Sequence, residues 1–179
     1  MMLNLDHFKS INDVFGIEYG DSVLKQVAER LTSALREEDF LAKLGGDEFV
    51  VILEDIDKKE NARVVARHII EKMQMPFLVN TKEVRLFCSI GIALYPNDCF
   101  DIDELLKASD SALREAKRKG KNQFCFFEKT FQEREVLRAL MIRRLRIAML
   151  KEAFFLHYQP QIDVKAKKVT RVEALIRWI

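Results

Sequence analysis

Cysteine is scarce in this chain of 179 residues, and its three cysteines are scattered. Cys88, Cys99 and Cys125 form no Cys-x-x-Cys pair, and no histidines accompany them at the spacing of metal ligands. The pattern therefore predicts neither a disulfide framework nor a zinc site. Free thiols are typical of a reducing compartment, so we expect a cytoplasmic location.

The chain also lacks an excess of charge of either sign and any long apolar run. The 30 lysines and arginines face 28 aspartates and glutamates, which gives a net charge of +2 at pH 7. Such a balance does not indicate a nucleic-acid partner. No apolar run approaches the roughly 20 residues of a membrane helix, and no signal-peptide pattern is present. We expect no membrane contact by this segment, although a longer parent protein could carry an anchor.

Hydrophobic residues make up 49% of the sequence, enough for one ordinary core with a small appendage. Their periodicity predicts strands and helices over roughly residues 1–128. The predicted elements are strands at 1–6, 77–79, 84–96 and 122–127, a hairpin at 40–53, helices at 21–36, 60–73 and 101–120, and further helix and turn signals at 8–21. The order is typical of an α+β, ferredoxin-like plan, in which a mainly antiparallel sheet carries its helices on one face.

The pattern changes beyond residue 128. Residues 131–152 have helical periodicity and predict a connecting helix. The predicted apolar face of this helix comprises Leu137, Met141, Leu145 and Ala148. Two strand candidates follow at 154–161 and 169–179, joined by a lysine-rich turn.

Hard oxygen ligands occur at the end of the first strand and at the hairpin tip. Asn4 and Asp6 are two residues apart on a strand and so share one face, while Asp47 and Glu48 follow the glycines of the turn. Magnesium prefers such ligands, and a nucleotide-polymerising site needs it between the triphosphate and the attacking hydroxyl. An isolated acidic pair in a turn more often only keeps a hairpin soluble, so the surrounding residues decide between these interpretations.

The surrounding residues carry a family resemblance. Residues 45–49 read GGDEF, and they are accompanied by LDHFKSINDVFG at 5–16, SIGIALYP at 89–96 and AKRKGKN at 116–122. In order and spacing the chain resembles the GGDEF family of diguanylate cyclase domains over almost the whole of residues 1–129. The resemblance implies a nucleotidyl-cyclase palm that condenses two GTP into cyclic di-GMP with release of two pyrophosphates. It also implies a homodimer, because each GTP occupies one of two facing half-sites.

The resemblance implies that Asn12 and Asp21 hold guanine, since a carboxylate accepts from the guanine N–H groups and an amide can both donate and accept. The alternative is that both are ordinary helix caps. It further implies that Lys9, Lys117 and Lys121 face the triphosphate, with Lys9 stabilising charge in the transition state. For the two later lysines, a solvated helix end is the alternative.

At the metal site, the resemblance implies that Asp47 binds Mg²⁺ or Mn²⁺ and helps to activate the ribose 3′-hydroxyl, beside Glu48 and the backbone carbonyl of Leu5. This sequence departs from the family at two positions. Asn4 stands where the family usually has aspartate, and a neutral amide oxygen binds magnesium more weakly than a carboxylate. Ile17 stands where the family usually has histidine.

An Arg-x-x-Asp pair, Arg36 and Asp39, precedes the signature glycines at the offset of the family's inhibitory site. The resemblance implies that the guanidinium fork binds guanine or a phosphate of cyclic di-GMP and that the carboxylate accepts from the guanine edge. The alternative is a surface ion pair, which would contribute little to stability.

The C-terminal residues resemble the beginning of an EAL phosphodiesterase domain, with Glu173-Ala174-Leu175 as the name motif. The resemblance implies a metal ligand at Glu173 and dinucleotide contacts at Gln159 and Arg177. Such a barrel needs about 250 residues, so this piece alone would hydrolyse nothing. The predicted organisation is a GGDEF domain at 1–129 without the family's N-terminal segment, a connecting helix at 130–152 and a truncated EAL start at 153–179.

Two hypotheses about function follow. The first is a homodimeric cyclase that makes cyclic di-GMP, with activity weakened by Asn4 and Ile17. The second is a degenerate regulatory module that binds GTP or cyclic di-GMP and controls an attached EAL enzyme. The three histidines, His7, His68 and His157, have no predicted role beyond packing or surface.

Overall fold

The computed structural model describes residues 1–56, 58–79 and 81–178, with the backbone alone at 132 and 135. The chain divides into two compact units, Met1–Gln132 and Glu133–Ile179. None of the helices within the described residues combines the length and the hydrophobicity that a membrane-spanning helix needs.

The first unit is organised around a five-stranded sheet. In spatial order its strands are β2 (Phe40–Gly45), β3 (Glu48–Ile52), β1 (Met2–Asp6), β6 (Phe87–Ile92) and β7 (Phe124–Phe126). Neighbouring strands run antiparallel except β6 and β7, which are parallel. The predicted mainly antiparallel α+β plan is therefore confirmed.

Helices and a small hairpin complete this unit. They are α1 (Phe8–Phe15), α2 (Ile17–Thr32), α3 (Lys59–Met73), α4 (Ile102–Arg118) and the hairpin of β4 (Phe77–Val79) and β5 (Lys82–Val84). Asp101 caps α4, because its carboxylate accepts from the backbone N–H groups of Asp103 and Glu104.

The expectation that the helices lie on one face of the sheet is wrong. Leu3 of β1 belongs to the main core with Val27 of α2 and Ile69 of α3. Met2, which points to the opposite face, packs with Leu113 of α4. Because helices cover both faces, β1 is buried at every residue.

Two predicted boundaries are also corrected. The helix predicted at 21–36 begins at Ile17 and ends at Thr32. Gly16 has a φ of +88°, which favours glycine and lets the chain turn directly from α1 into α2. The strand predicted at 84–96 is divided between β5 and β6, and pairing ends at Ile92.

The second unit contains a long antiparallel ribbon of β8 (Phe154–Asp163) and β9 (Lys168–Trp178), preceded in the chain by α5 (Lys129–Leu150). These elements match the predicted helix and strand pair, and residue 179 lies outside the described residues. Of the four residues on the predicted apolar face of α5, only Ala148 is buried. Leu137, Met141 and Leu145 are exposed, because no other described element covers them.

Candidate functional site

The end of β1 meets the tip of the β2–β3 hairpin. Asn4 pairs with Glu48 of β3 on one side and with Ser89 of β6 on the other. The Leu5 N–H donates to the Asp47 carbonyl oxygen at 3.2 Å. Asn4 is buried, and the Asp47 and Glu48 side chains are half-buried and exposed respectively. The residues predicted to hold a metal thus come together, although they lie far apart in the sequence.

The oxygen ligands at this end of the sheet carry less negative charge than those of a fully acidic site. Asp47 and Glu48 supply carboxylates, Asn4 an amide oxygen and Leu5 a backbone carbonyl, all of them hard ligands suited to Mg²⁺. Among the described residues, no group of three or more His, Cys, Asp or Glu side chains could hold a metal ion. The donor set suits a divalent cation but carries one charge fewer than it would with aspartate in place of Asn4.

Asp6 has another environment, which the sequence did not indicate. Its buried carboxylate accepts from the Ser89 hydroxyl, at 2.9 and 3.1 Å to the two oxygens, and from the Asn122 backbone N–H at 2.9 Å. Burial, with a smaller contribution from the Asp6 charge, raises the pKa of the neighbouring Cys88 thiol far above its usual range. Asp6 is therefore bonded within the protein at the place where β1, β6 and the turn after α4 meet.

The predicted guanine-binding residues lie on two packed helices. Asn12 is on α1, and Gly20 and Asp21 are on α2. A Cβ on Gly20 would overlap the Asn12 side-chain oxygen and lie 3.0 Å from Asn12 Cγ, so the Asn12 amide fills the space that glycine leaves. That oxygen is buried and has no hydrogen-bond partner among the described residues. An unsatisfied buried acceptor of this kind is a candidate ligand-binding group.

The helix-cap alternative for these residues is not supported. The N-cap residues of α1 and α2 are His7 and Gly16, and neither makes a side-chain cap hydrogen bond. Asn12 and Asp21 lie inside their helices, and Asp21, exposed, follows directly after the Gly20 that packs on the Asn12 amide. Ile17, the departure from the family pattern, begins α2 with its side chain 73% exposed.

The three predicted triphosphate lysines lie on α1, on α4 and in the turn after α4. Lys9 is exposed in the first turn of α1, and Lys117 is half-buried in the last turn of α4. Lys121 follows α4, and its Nζ lies 2.9 Å from the Nε2 of His7. The expectation that His7 has only a packing or surface role is therefore incomplete, since it contacts one of the candidate phosphate ligands.

A cavity of about 630 Å³ lies at the opposite end of the sheet from these residues. Its lining is mostly apolar and includes Met1, Ile52, Ile92, Leu105 and Leu106. None of the predicted site residues lines this cavity. The candidate site is therefore the other end of the sheet, where β1 ends beside the hairpin tip.

The family profile described as "Diguanylate cyclase, GGDEF domain" matches residues 1–123. The chain belongs to the GGDEF family. The crystal structure of the GGDEF domain of YfiN (TpbB) from Pseudomonas aeruginosa has a TM-score of 0.70 and 38% identity, and covers 71% of this chain and 80% of that chain.

Two curated relatives, both from Pseudomonas aeruginosa, match the chain over 178 residues, or 99% of its length. The bifunctional diguanylate cyclase/cyclic di-GMP phosphodiesterase MucR is 37% identical, and 26% of it is covered. The cyclic di-GMP phosphodiesterase NbdA is 38% identical, and 23% of it is covered. The chain thus spans about a quarter of the length of these relatives, and the match continues beyond the GGDEF profile.

In this GGDEF domain, Arg36 and Asp39 form a tight turn between α2 and β2. The Arg36 backbone N–H donates to the Asp39 carboxylate at 3.0 Å, and the Asp39 N–H donates to the Arg36 carbonyl oxygen at 3.2 Å. The turn leaves the Arg36 side chain exposed and the Asp39 side chain half-buried. The Asp39 carboxylate is consequently used to order the loop that carries the arginine.

The residues of the predicted EAL start share one face of the ribbon. Gln159 and Glu173 are direct cross-strand partners, and Arg177 lies four residues beyond Glu173 on β9. Residues separated by an even number on a strand point to the same face, so all three side chains share that face of the ribbon. They are exposed in this structure.

Proposed function

We propose that residues 1–129 form a diguanylate cyclase-type domain that binds GTP at the end of the sheet where β1 ends beside the tip of the β2–β3 hairpin. The observation that carries the proposal is the meeting there of the hairpin tip, the end of β1 and the packed pair of Asn12 and Gly20. Asp21 and Asn12 hold guanine, and Lys9, Lys117 and Lys121 face the triphosphate. The packing of Asn12 against Gly20 supports the guanine assignment, because it brings the Asn12 amide to the helix that carries Asp21.

The reaction that this site supports is a double nucleotidyl transfer. The 3′-hydroxyl of each GTP attacks the α-phosphorus of the other, an O–P bond forms, the bond to the β-phosphate bridge breaks and pyrophosphate leaves. Each hydroxyl gives up its proton, with Asp47 assisting. Closing the ring takes two such transfers, so two copies of the domain must face each other.

A divalent cation would be held by Asp47, Glu48, Asn4 and the Leu5 carbonyl, and we propose Mg²⁺ or Mn²⁺. When bound, such an ion supplies positive charge near the triphosphate and favours ionisation of the attacking hydroxyl. Both ions accept oxygen ligands, and manganese accepts mixed ligands more readily.

The alternative is a regulatory GGDEF module that controls an attached EAL phosphodiesterase. Two observations favour it: Asn4 reduces the charge of the metal site, and the relative NbdA is named as a phosphodiesterase. On this proposal residues 153–179 begin the EAL domain and Gln159, Glu173 and Arg177 contribute to its dinucleotide site. The cysteines at 88, 99 and 125 are free and buried, which supports placing either form in a reducing cytoplasm.

Incubating the purified chain with GTP and Mg²⁺ or Mn²⁺ separates the two hypotheses. Chromatography of the nucleotides should show cyclic di-GMP and pyrophosphate if the domain is a cyclase. Binding of GTP or cyclic di-GMP without turnover, measured by calorimetry, would favour the regulatory module.

Replacing Asp21 by alanine should weaken GTP binding by about 1.5 to 3 kcal/mol, because hydrogen bonds from guanine to a charged acceptor are lost. Isothermal titration calorimetry with GTP and Mg²⁺ measures the change. Glu29→Ala is the matched control, since Glu29 is an exposed acidic residue on the same helix, away from the site. Unchanged affinity in Asp21→Ala would remove Asp21 from the guanine site.

Replacing Arg36 by alanine should weaken cyclic di-GMP binding about tenfold or more, because a bidentate charged contact is lost. GTP affinity should stay the same, since Arg36 lies in the turn after the C-terminal end of α2, whereas Asp21 lies near the N-terminal end of that helix. Arg67→Ala, at an exposed arginine on α3, is the control. Equal binding of cyclic di-GMP by Arg36→Ala and the native chain would contradict this assignment.

A further inference from the structure

The turn between α4 and β7 has an unusual backbone. Gly120, Lys121 and Asn122 have consecutive φ values of +124°, +65° and +46°. Gly120 ends α4 in a Schellman motif. In it the Lys121 N–H donates to the Ala116 carbonyl oxygen at 3.2 Å, and the Gly120 N–H donates to the Lys117 carbonyl oxygen at 3.4 Å. The left-handed conformation costs little at glycine but about 1 kcal/mol or more at each of the next two residues.

The left-handed conformation continues past the helix cap, so something beyond helix termination stabilises it. The group that meets the turn is Asp6, whose buried carboxylate accepts from the Asn122 N–H at 2.9 Å and is held on its other side by the Ser89 hydroxyl. His7, the next residue after Asp6, is itself left-handed with a φ of 62° and contacts Lys121 Nζ. Asp6 and His7, adjacent at the end of β1, thus contact Asn122 and Lys121, adjacent in the turn.

We infer that Asp6 is a positioning residue that fixes the Lys121–Asn122 turn against the end of β1 and so sets the Lys121 ammonium at the triphosphate site. The inference rests on the proposed function, because it takes Lys121 as a phosphate ligand. Asp6 acts through Lys121: its carboxylate accepts from Ser89 and Asn122, whereas Asn4, on the same strand face, lies beside Glu48.

Four variants of the full chain test the inference: Asp6→Asn, Ser89→Ala, Lys121→Ala and the double variant Asp6→Asn/Lys121→Ala. Asp13→Asn, at an exposed aspartate of α1, is the matched control. Calorimetry is run with α,β-methylene-GTP, which cannot react, and with GMP, which lacks the outer phosphates. Each titration is repeated over a range of Mg²⁺ concentrations. Hydrogen exchange at the Asn122 amide is followed by NMR.

We expect Asp6→Asn to weaken binding of the GTP analogue about tenfold, the effect of one lost hydrogen bond to a charged group, and to leave GMP affinity within about twofold. The double variant should bind no more weakly than Lys121→Ala, because both changes remove the same interaction. The Asn122 amide should exchange faster in Asp6→Asn. Ser89→Ala should show the same pattern at about threefold, and it serves as the test if Asp6→Asn does not fold.

Several results would overturn the inference. Equal loss of GMP and analogue binding would indicate a general folding role, and additive losses in the double variant would indicate that Asp6 acts independently of Lys121. A shifted Mg²⁺ midpoint in Asp6→Asn, or unchanged exchange at Asn122, would also contradict it. If Lys121→Ala weakens analogue binding and Asp6→Asn does not, only the inference fails. A native chain that binds neither nucleotide removes the proposed function and this inference with it.

Discussion

Replacing Gly91 by alanine should destabilise the first unit by about 3 kcal/mol or more. A Cβ at this position would overlap the Ser109 carbonyl oxygen and the Leu113 backbone nitrogen, and would lie 2.8 Å from Leu113 Cα. All three atoms belong to the backbone of α4, so no side chain can rotate away and the helix itself must move. Overpacking usually costs 1 to 3 kcal/mol, and a clash with backbone belongs at or beyond the upper end of that range.

Thermal unfolding followed by circular dichroism measures this effect, and we expect the midpoint to fall by about 10 °C or more. Gly45→Ala is the matched control, because a Cβ there meets no atom within 4 Å. It introduces the same methyl group into a strand of the same sheet and should change the midpoint little. If Gly91→Ala unfolds at the same temperature as Gly45→Ala, α4 does not lie as close to β6 as the structure has it.

The strands that form the site could be predicted because local signals determine them. Alternating apolar residues on each side of Gly45-Gly46 specify a hairpin, and an apolar run before Asp6 specifies a strand. The pairing of these strands, which places Asn4 beside Glu48, joins distant segments and has no local signal of its own. The neighbouring Asn12 and Asp21 were predicted only from the family resemblance, since no local rule brings two helix residues together across a glycine.

The features that were missed depend on contacts between distant segments. The Asp6 carboxylate meets the Asn122 N–H across more than a hundred residues of sequence, and a lone aspartate at a strand end gives no sign of that partner. The position of α4 on the second face depends on Gly91, whose role becomes visible only when the helix lies against it. On α5, periodicity predicts an apolar face, but it does not predict whether another element covers that face, and Leu137, Met141 and Leu145 are exposed.

Replacing Asn4 by aspartate should increase cyclic di-GMP formation about tenfold at limiting Mg²⁺. The change adds an anionic oxygen beside Glu48 and Asp47, where the amide of Asn4 now supplies a neutral one. A bound metal stabilises the charge of the transition state by several kcal/mol. Lowering the activation free energy by only about 1.4 kcal/mol of that amount increases the rate tenfold. Manganese, which accepts mixed ligands more readily, should partly rescue the native chain.

The same change should have a separate signature in stability. Without metal, the new carboxylate is buried opposite Glu48 and shares a face with Asp6, and like charges directly opposite on a sheet are destabilising. The unfolding midpoint of Asn4→Asp should therefore fall below that of the native chain in chelator and rise more steeply as Mg²⁺ is added, because binding to the folded state alone stabilises it.

Asn97→Asp is the matched control, because it makes the same change of shape and charge at an exposed loop position after β6, away from the site. It should alter neither the rate nor the magnesium dependence of unfolding. A steeper magnesium dependence in Asn4→Asp without any gain in rate would mean that the metal site is repaired and that another residue limits turnover. Ile17, exposed at the start of α2, is then the next position to restore. If neither the stability nor the rate responds to magnesium, the cation does not bind beside position 4, and the regulatory hypothesis becomes the better account of this domain.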